Sequence, residues 1–557
     1  MVTNIEPIKT ANAEILCNRD DLDDLLMDEE KENENTYGKI ILREYMRLLN
    51  SENAKINFIL KILSKAVNEH KIFVIYGIFP PIRKPLGQRG WIEKKFIRKM
   101  LSMSPEISEA GLETVEKLLR CPPNFIWYSN KRASIRTEDR TIVNKFTGCY
   151  FTSKVDMCNN LENISWYYEA DVSNVQFPRC YNVYQPAQIE EFIQDFYITA
   201  SMGILKWFLY FASVVGPNAV WSEDGTIPIK AILFALERCS EYISVCAHED
   251  IDGKHNKDIP IPDWNEFLSW YKKILQRRGV LQKKNEINIE ELLRYTSNIM
   301  KRMMQCRPQT QIDGMRNIWI IKPGDKSLGK ERPLLVHRTK VDIRQWFLIT
   351  STQPLTVWIY KDILVRFASK NFTLNNFHES IHLCNTTVQL KYRKTIHEGA
   401  PIPSELHWNL HNFKEYLKAI DRELAWEKLI KPGIKQNLIG ALLASQENMV
   451  NRKNSFQLYG ADFLIMDDLS VWLIEINTNP RLHPPSSSVT EKLYPEIIED
   501  TIKVVLDRRK NKKAARGKFE CIYRQRNPFY RNVLGKGVSL GIRGKAVFSK
   551  NSIRSRL

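Results

Sequence analysis

Residues 460–480 read GADFLIMDDLSVWLIEINTNP. Two apolar runs flank Asp467, Asp468, Leu469 and Ser470, which predicts a β-hairpin closed by that polar tetrad. With the tetrad as the loop, Asp462 lies opposite Glu475. Asn477 follows two residues later and shares Glu475's face. Three oxygen-bearing side chains then converge inside an apolar hairpin, where two carboxylates are costly unless something positive pairs with them. A hard divalent cation such as magnesium, shared with phosphate oxygens, suits these ligands. A hairpin whose polar residues face solvent would have the same spacing, so both readings stay open at this point.

The rest of the chain bounds the possibilities. Its 557 residues exceed one ordinary core, so two or three lobes are expected. A content of 43% apolar and 10% aromatic residues is globular. The net charge of +18 is unevenly placed. Glu14 to Glu34 holds ten acids against Arg19 and Lys31. Lys503 to Leu557 holds 17 basic residues against Asp507 and Glu520. Such a basic tail is either a solvated segment or a surface for an anionic partner: nucleic acid, acidic lipid or acidic protein. The ten cysteines include no C-x-x-C pair, which fits reduced thiols and argues against a zinc module or a disulfide scaffold. No signal peptide is evident at the N-terminus. Residues 203–221 come nearest to a membrane span, but Lys206, Gly216 and Pro217 interrupt them, and a buried helix is the better reading.

Five regions are expected along the chain. Residues 1–36 form an acidic leader. Residues 37–187 hold a helical start, a strand from Ile72 to Ile78 and further short elements. Residues 188–312 are mostly helical and include the basic stretch Lys272–Lys284, either a solvated helix face or a surface for an acidic substrate. Residues 313–509 form a strand-rich lobe, with a strand from Ile318 to Ile321 and another from Ile343 to Thr350. A hairpin there joins Leu355–Tyr360 to Ile363–Ala368 through Lys361-Asp362. Helices over 404–450 and 489–509 flank the Gly460–Pro480 hairpin, and residues 510–557 form the basic tail. The fold class is α+β, with mixed and antiparallel sheets, flanking helices and a helical insertion.

Other residues extend the hairpin's chemistry. The run NIWII ends in Lys322-Pro323-Gly324, and Asp325 to Gly329 follow. A lysine and a glycine-containing loop after a strand suit a phosphate site, although many strand-to-loop junctions look alike. Lys340, Asp342 and Arg344 alternate along one strand and share a face. Arg366 sits among apolar neighbours, where a guanidinium suits a bidentate carboxylate or phosphate. Each arginine judged alone is better explained by an ordinary ion pair. Together with the hairpin ligands, they point to ATP and magnesium.

These motifs make the chain recognisable. RGWIEKKF from Arg89, TIVNKFTGCYFTSKVDMCNNL from Thr141, FPRCY from Phe177 and NIWIIKPGDKS from Asn317 occur in that order. ERPLLVHRTKVDIRQWFLIT, PLTVWIYKDILVRFASKNFTL, HLCNTTVQ and YGADFLI…VWLIEINTNP follow. The chain resembles the tubulin tyrosine ligase-like family over residues 71–187 and 313–509, and its glycine-ligating branch in particular. That resemblance implies an ATP-grasp fold and an ATP-dependent ligase. It would activate a glutamate side chain in an acidic tubulin tail as an acyl phosphate and join glycine to it. It further implies that Asp462, Glu475 and Asn477 hold Mg2+. Lys322, Ser327, Gly329, Lys340, Asp342 and Asn385 would line ATP, and Arg344 and Arg366 would steady the reacting anions. The implied partners are tubulin and microtubules, met by a monomer through the basic tail and the Lys272–Lys284 stretch, with no membrane or nucleic acid. The implied location is the cytoplasmic cytoskeleton, including the axoneme of cilia.

The sequence departs from the family at one point. There the glycine-rich loop continues as Ser-Arg-Gly-x-Gly-Ile, and a helix and an adenine-contacting strand come next. Here Leu328, Gly329 and Lys330 run directly into Glu331. A helix plus a strand takes about 17 residues at average lengths. A truncated form that lacks the adenine hinge, a catalytically impaired microtubule-binding relative and a glutamate-adding ligase therefore stand beside the glycine ligase.

Overall fold

The computed structural model describes residues 61–95, 120–129, 140–146, 150–162, 164–248, 260–277, 279–284, 287–320, 333–392 and 402–526. The chain divides into two compact units, Met1–Ile72 with Ile82–Pro122, and Phe73–Pro81 with Pro123–Leu557. In the first unit residues 61–68 are helical, and Arg83 holds Glu93 through Nε at 2.8 Å and Nη2 at 3.1 Å. The predicted acidic leader lies outside the described residues.

The second unit carries the rest. Its first sheet is parallel: β1 (Ile72–Tyr76) pairs from Phe73 onward with β2 (Phe125–Tyr128), and β2 with β3 (Ile142–Val143). Helix α1 (Lys154–Glu162) follows, and then the helical module expected between 188 and 312. The module consists of α2 (Pro186–Val214), α3 (Lys230–Cys246), α4 (Ile261–Arg277) and α5 (Ile289–Cys306). Local signals set its ends. Proline begins α2, and the Asn288 side chain caps α5 by accepting from the Glu290 and Glu291 N–H groups. By length and composition α2 could cross a membrane, yet Ala200–Leu205, Trp207 and Phe208 are buried in the module's core. Lys206 Nζ is satisfied by the Thr310 and Asp313 carbonyls at 2.6 and 2.5 Å. The helix is therefore a core helix, as expected.

The large sheet holds the candidate site. Its members are β4 (Leu335–Val336), β5 (Thr339–Thr352), β6 (Leu355–Asn371), β7 (His407–Trp408), β8 (Gln457–Ile465), β9 (Val471–Asn477) and β10 (Phe519–Arg524). The order is β7-β6-β5-β8-β9, with β10 added to β6 and β4 to β5. Helices α6 (Leu410–Ala419) and α7 (Lys431–Ser445) share one apolar core with β5, β6, β8 and β9, built on Phe347, Phe367, Phe413, Trp426 and Phe463. Helix α8 (Ser488–Ile502) starts in a capping box between Ser487 and Thr490.

Four expectations need correction. Leu355–Tyr360 and Ile363–Ala368 are not a hairpin but halves of the continuous strand β6. Lys361-Asp362 marks a bulge: Gln345 pairs with Ile363 and Phe347 with Ile359, so β6 carries extra residues there. The real turn lies between Thr352 and Leu355. Residues 317–320 form no strand, because they pack on α2: Asn317 Nδ2 donates to the Phe196 carbonyl at 2.9 Å, and the Trp319 ring meets the Phe192 ring edge-on. Cys158 and Cys180 form a disulfide, their Cα atoms 6.0 Å apart, so these two are not reduced thiols. The fold brings them together across 22 residues, a proximity that no local spacing encodes. Finally, Phe519–Arg524, assigned to the basic tail, adds a strand whose Phe519 is buried against Tyr360. Residues 527–557 lie outside the described residues.

Candidate active site

The site is a set of charges on one face of the large sheet, and strand register puts them there. In β8 and β9 Asp462 pairs with Glu475, as expected, and Gly460 with Asn477, but not by the predicted route: beside the loop Ile465 pairs with Val471, one residue out of the register that the tetrad implies, and a bulge between Asp462 and Phe463 restores it. Asp462 also pairs with Arg344 on β5, Asp342 on β5 with Arg366 on β6, and Arg366 with His407 on β7. Alternation along β5 then puts Asp342 and Arg344 on the same face.

The contacts form a chain of alternating charge. Arg344 grips Asp462 with Nε on one oxygen and Nη2 on the other, the latter at 2.9 Å. Arg366 grips Asp342 at 2.6 and 2.8 Å and also reaches Asp462 at 3.1 Å. Asn477 Nδ2 lies 3.2 Å from Asp462 Oδ2 and 3.2 Å from Glu475 Oε1. Asp462 and Arg366 are only 3% and 4% exposed. Burial alone would raise the Asp462 pKa, but Arg344 and Arg366 hold it well below the ordinary range. Burial pushes Asp342 up against the pull of Arg366. Arg366 is buried too, yet Asp342 and Asp462 keep its guanidinium firmly charged.

Lys340 is buried, and its ammonium donates to the His382 carbonyl at 2.9 Å. Desolvation lowers its pKa. The thiol of Cys384 donates back to the Lys340 carbonyl at 3.4 Å, so the segment 379–389 is tied to β5. Asn385, at the start of the short helix Thr386–Gln389, is part of that segment. Lys322, Ser327 and Gly329 lie outside the described residues. The chain resumes beside the hairpin turn: Pro333 bridges to Met466, and Leu334 N–H donates to the Ile465 carbonyl at 2.8 Å. Leu464, Met466 and Trp472, with Ile312 and Ile474, make a small apolar cluster there.

A divalent cation fits the hairpin's donor set on one condition. Among the described residues no group of three or more His, Cys, Asp or Glu side chains could hold a metal ion. Two carboxylates and one amide remain, and phosphate or water would complete the coordination. The Asn477 amide turns its nitrogen toward the acids, and rotation by half a turn would present its oxygen. In this structure Asp462 is shared with two arginines, and Glu475 meets the Asn477 amide.

Sequence reasoning did not single out the support from the first sheet. The Phe146 N–H donates to Gln457 Oε1 at 3.0 Å, and Lys145 Nζ contacts Asn479 Oδ1. The signal was present in the TIVNKF motif and in the second asparagine of INTNP, but the two stand more than 300 residues apart and only the fold connects them.

Comparison with known proteins adds to this geometry. Residues 330–513 match the Tubulin-tyrosine ligase family. The chain is 35% identical over 547 residues to tubulin glycylase 3A of Drosophila melanogaster, covering 87% of this chain and 54% of that protein. It is 31% identical to a tubulin monoglycylase of Mus musculus, covering 85% and 60%. It is 32% identical to a tubulin monoglycylase of Danio rerio, covering 83% and 70%. The chain thus spans between about half and 70% of the length of these relatives.

Proposed function

The chain belongs to the tubulin-tyrosine ligase family, and on that premise we propose that it is an ATP-dependent protein–glycine ligase acting on glutamate side chains of tubulin tails. The observation that carries the proposal is the in-register row Arg344–Asp462–Glu475, with Asn477 beside it, in a chain whose relatives are tubulin glycylases.

The chemistry is a pair of substitutions. An acceptor carboxylate oxygen attacks the γ-phosphorus of ATP, and ADP leaves. The glycine nitrogen then attacks the acyl carbon, phosphate leaves with the bonding electrons, and the nitrogen loses a proton as the amide forms. Transfer of this kind depends on positioning and charge neutralisation. Lys340 would supply a fixed point charge, and Lys322, Ser327, Gly329, Asp342 and Asn385 would line the nucleotide. Arg344 and Arg366 would orient the anionic oxygens, drawing on guanidinium groups that the two aspartates already hold in place. Asp462, Glu475 and Asn477 would hold magnesium, which when bound neutralises phosphate charge as a Lewis acid.

An acidic tail would be drawn by the exposed Lys272, Lys273, Lys283 and Lys284 and by the basic C-terminal segment, and such attraction would bring the protein to microtubules, including those of the axoneme. Glycine and glutamate, each isotopically labelled, offered with tubulin, ATP and magnesium, test the reading. Glycine incorporation supports it, and glutamate incorporation replaces it with a glutamate ligase. Microtubule binding without either product, and without ATP binding, favours the impaired relative that the short Ser327–Glu331 connection suggests.

A further inference from the structure

Helices α3 and α5 both end in a cysteine, Cys246 and Cys306. One turn before each, Ile243 and Met303 are buried in the core of the helical module, so each cysteine sits on the core-facing side of its helix, at the rim of that core. Tyr242 and Arg307 align the two helix ends: the Arg307 guanidinium lies over the Tyr242 ring, 5.7 Å from its centroid. Cys246 follows Tyr242 by one turn, and Cys306 is the residue before Arg307. The Tyr242 hydroxyl and the Cys306 thiol both meet Cys246 in side-chain hydrogen bonds. Cys246 is exposed, Cys306 is half-buried, and neither takes part in a disulfide.

The backbone leaves the two sulfurs free to close further. After Cys246 the Ala247 N–H returns to the Ile243 carbonyl at 2.9 Å, and His248 takes a left-handed φ of 56° that ends α3. After Cys306 the Arg307 N–H donates to the Met303 carbonyl at 2.8 Å, and its φ of −133° ends α5. No helix continues past either cysteine, so little resists the step from thiol contact to an S–S bond of about 2.05 Å. Burial and the neighbouring Cys246 push the Cys306 thiol up, against the pull of Arg302. The exposed Cys246 is therefore the thiol that a small oxidant meets first.

We infer that Cys246 and Cys306 are a reversible thiol–disulfide pair, oxidised by a small-molecule disulfide such as oxidised glutathione. The Cys246 thiolate attacks one sulfur of the oxidant, whose S–S bond breaks, and one glutathione leaves with the proton that Cys246 gave up. Cys306 then loses its proton and attacks the Cys246 sulfur of the mixed disulfide, and the second glutathione leaves with that proton. The chain gives up two electrons and two protons, and the oxidant gains both. This pair differs from Cys158–Cys180, which is already joined, and the inference stands apart from the ligase reading.

The test treats the folded full chain with oxidised glutathione, blocks the remaining thiols with N-ethylmaleimide and maps the peptides without reductant. The expected result is loss of labelling at both cysteines together, a Cys246–Cys306 cross-linked peptide lighter by the two thiol hydrogens, and full recovery of labelling after dithiothreitol. Cys306→Ser should trap glutathione on Cys246, and Cys246→Ser should leave Cys306 open to the label. Two thiols that only pack side by side would behave as strangers. Glutathione retained on Cys246 of the unaltered chain while Cys306 is still labelled overturns the inference, as does labelling of both cysteines after the oxidant. Cys306→Ala replaces Cys306→Ser if the serine variant does not fold.

Discussion

Arg366 from β6 and Asp462 from β8 meet at 3.1 Å across the intervening strand β5. The contact joins two bidentate pairs, Arg366 with Asp342 and Arg344 with Asp462, into one buried chain of four charges. Such a chain is stable only while it is complete. Removing one member strands its partners in the interior without compensation.

Asp462→Ala should therefore cost about 3–5 kcal/mol of stability, because it orphans contacts of two arginines. The pH dependence has a definite sign. Asp462 has a folded pKa held below its unfolded value by Arg344 and Arg366, so its stabilisation is complete above about pH 4 and fades as the pH falls below that. Asp342 works the other way, since burial raises its pKa and protonation favours the folded chain as the pH falls through that raised value. Urea unfolding from pH 7 down to pH 3 should show a shallower loss for Asp462→Asn than for the unaltered chain. Parallel curves would remove Asp462 from the account of acid sensitivity.

Glu475→Gln should lower glycine transfer by about a hundredfold or more while leaving the unfolding midpoint nearly unchanged. Glu475 is half-buried and lies at the edge of the charge chain, where an isosteric amide can still hydrogen-bond to Asn477. Magnesium dependence of nucleotide binding gives a second readout. A variant that retains both transfer and magnesium dependence would disprove the ligand assignment.

The pairing of Asp462 with Glu475 was legible from the polar tetrad between two apolar runs, but the loop is one residue longer than that tetrad, and the bulge between Asp462 and Phe463 that offsets it was not legible. The common face of Lys340, Asp342 and Arg344 followed from strand alternation alone. The continuity of β6 was not legible, since Lys361-Asp362 looks like a turn unless one sees Lys518 beside it, its Nζ 2.8 Å from Asp362. An ion pair was the plain reading of each arginine alone, but the sequence could not reveal which aspartates, on other strands, engage them. Residue type shows that a guanidinium wants an oxyanion, not whether the chain or a ligand provides it. Lys145 escaped notice for the same reason, as its partner lies in another sheet's neighbourhood.

The Cys158–Cys180 bond predicts two fewer reactive thiols when the oxidised chain is denatured without reductant than when it is denatured with it. Peptide mapping should place both losses at those positions. Closing a loop of this length stabilises by about 3 kcal/mol in the chain-entropy description, so reduction should lower the unfolding midpoint measurably. Cys239 serves as an internal contrast: it is buried and its pKa is pushed up to about 12, so it should resist alkylation until the chain unfolds. Full thiol reactivity without reductant would contradict the bond.

Gly460 sets how closely Arg344 and the INTNP turn can approach. A Cβ built there would lie 2.9 Å from Arg344 Cδ, 2.9 Å from Pro480 Cβ and 3.1 Å from Arg344 Nη1. Gly460 pairs with Trp346 on one side and Asn477 on the other, so the strand cannot shift without disturbing both ladders. The proline is rigid, and Arg344 is held by Asp462 from its far end, so neither neighbour yields freely. Gly460→Ala should accordingly cost about 1–3 kcal/mol, the usual penalty of overpacking. It should also displace the Arg344 guanidinium from Asp462 and so depress glycine transfer more than stability alone explains. Comparing it with Gly440→Ala, whose new Cβ would instead press on the Val175 side chain, separates the two effects. If the two variants are equally unstable yet equally active, Arg344 tolerates displacement and its orienting role fails.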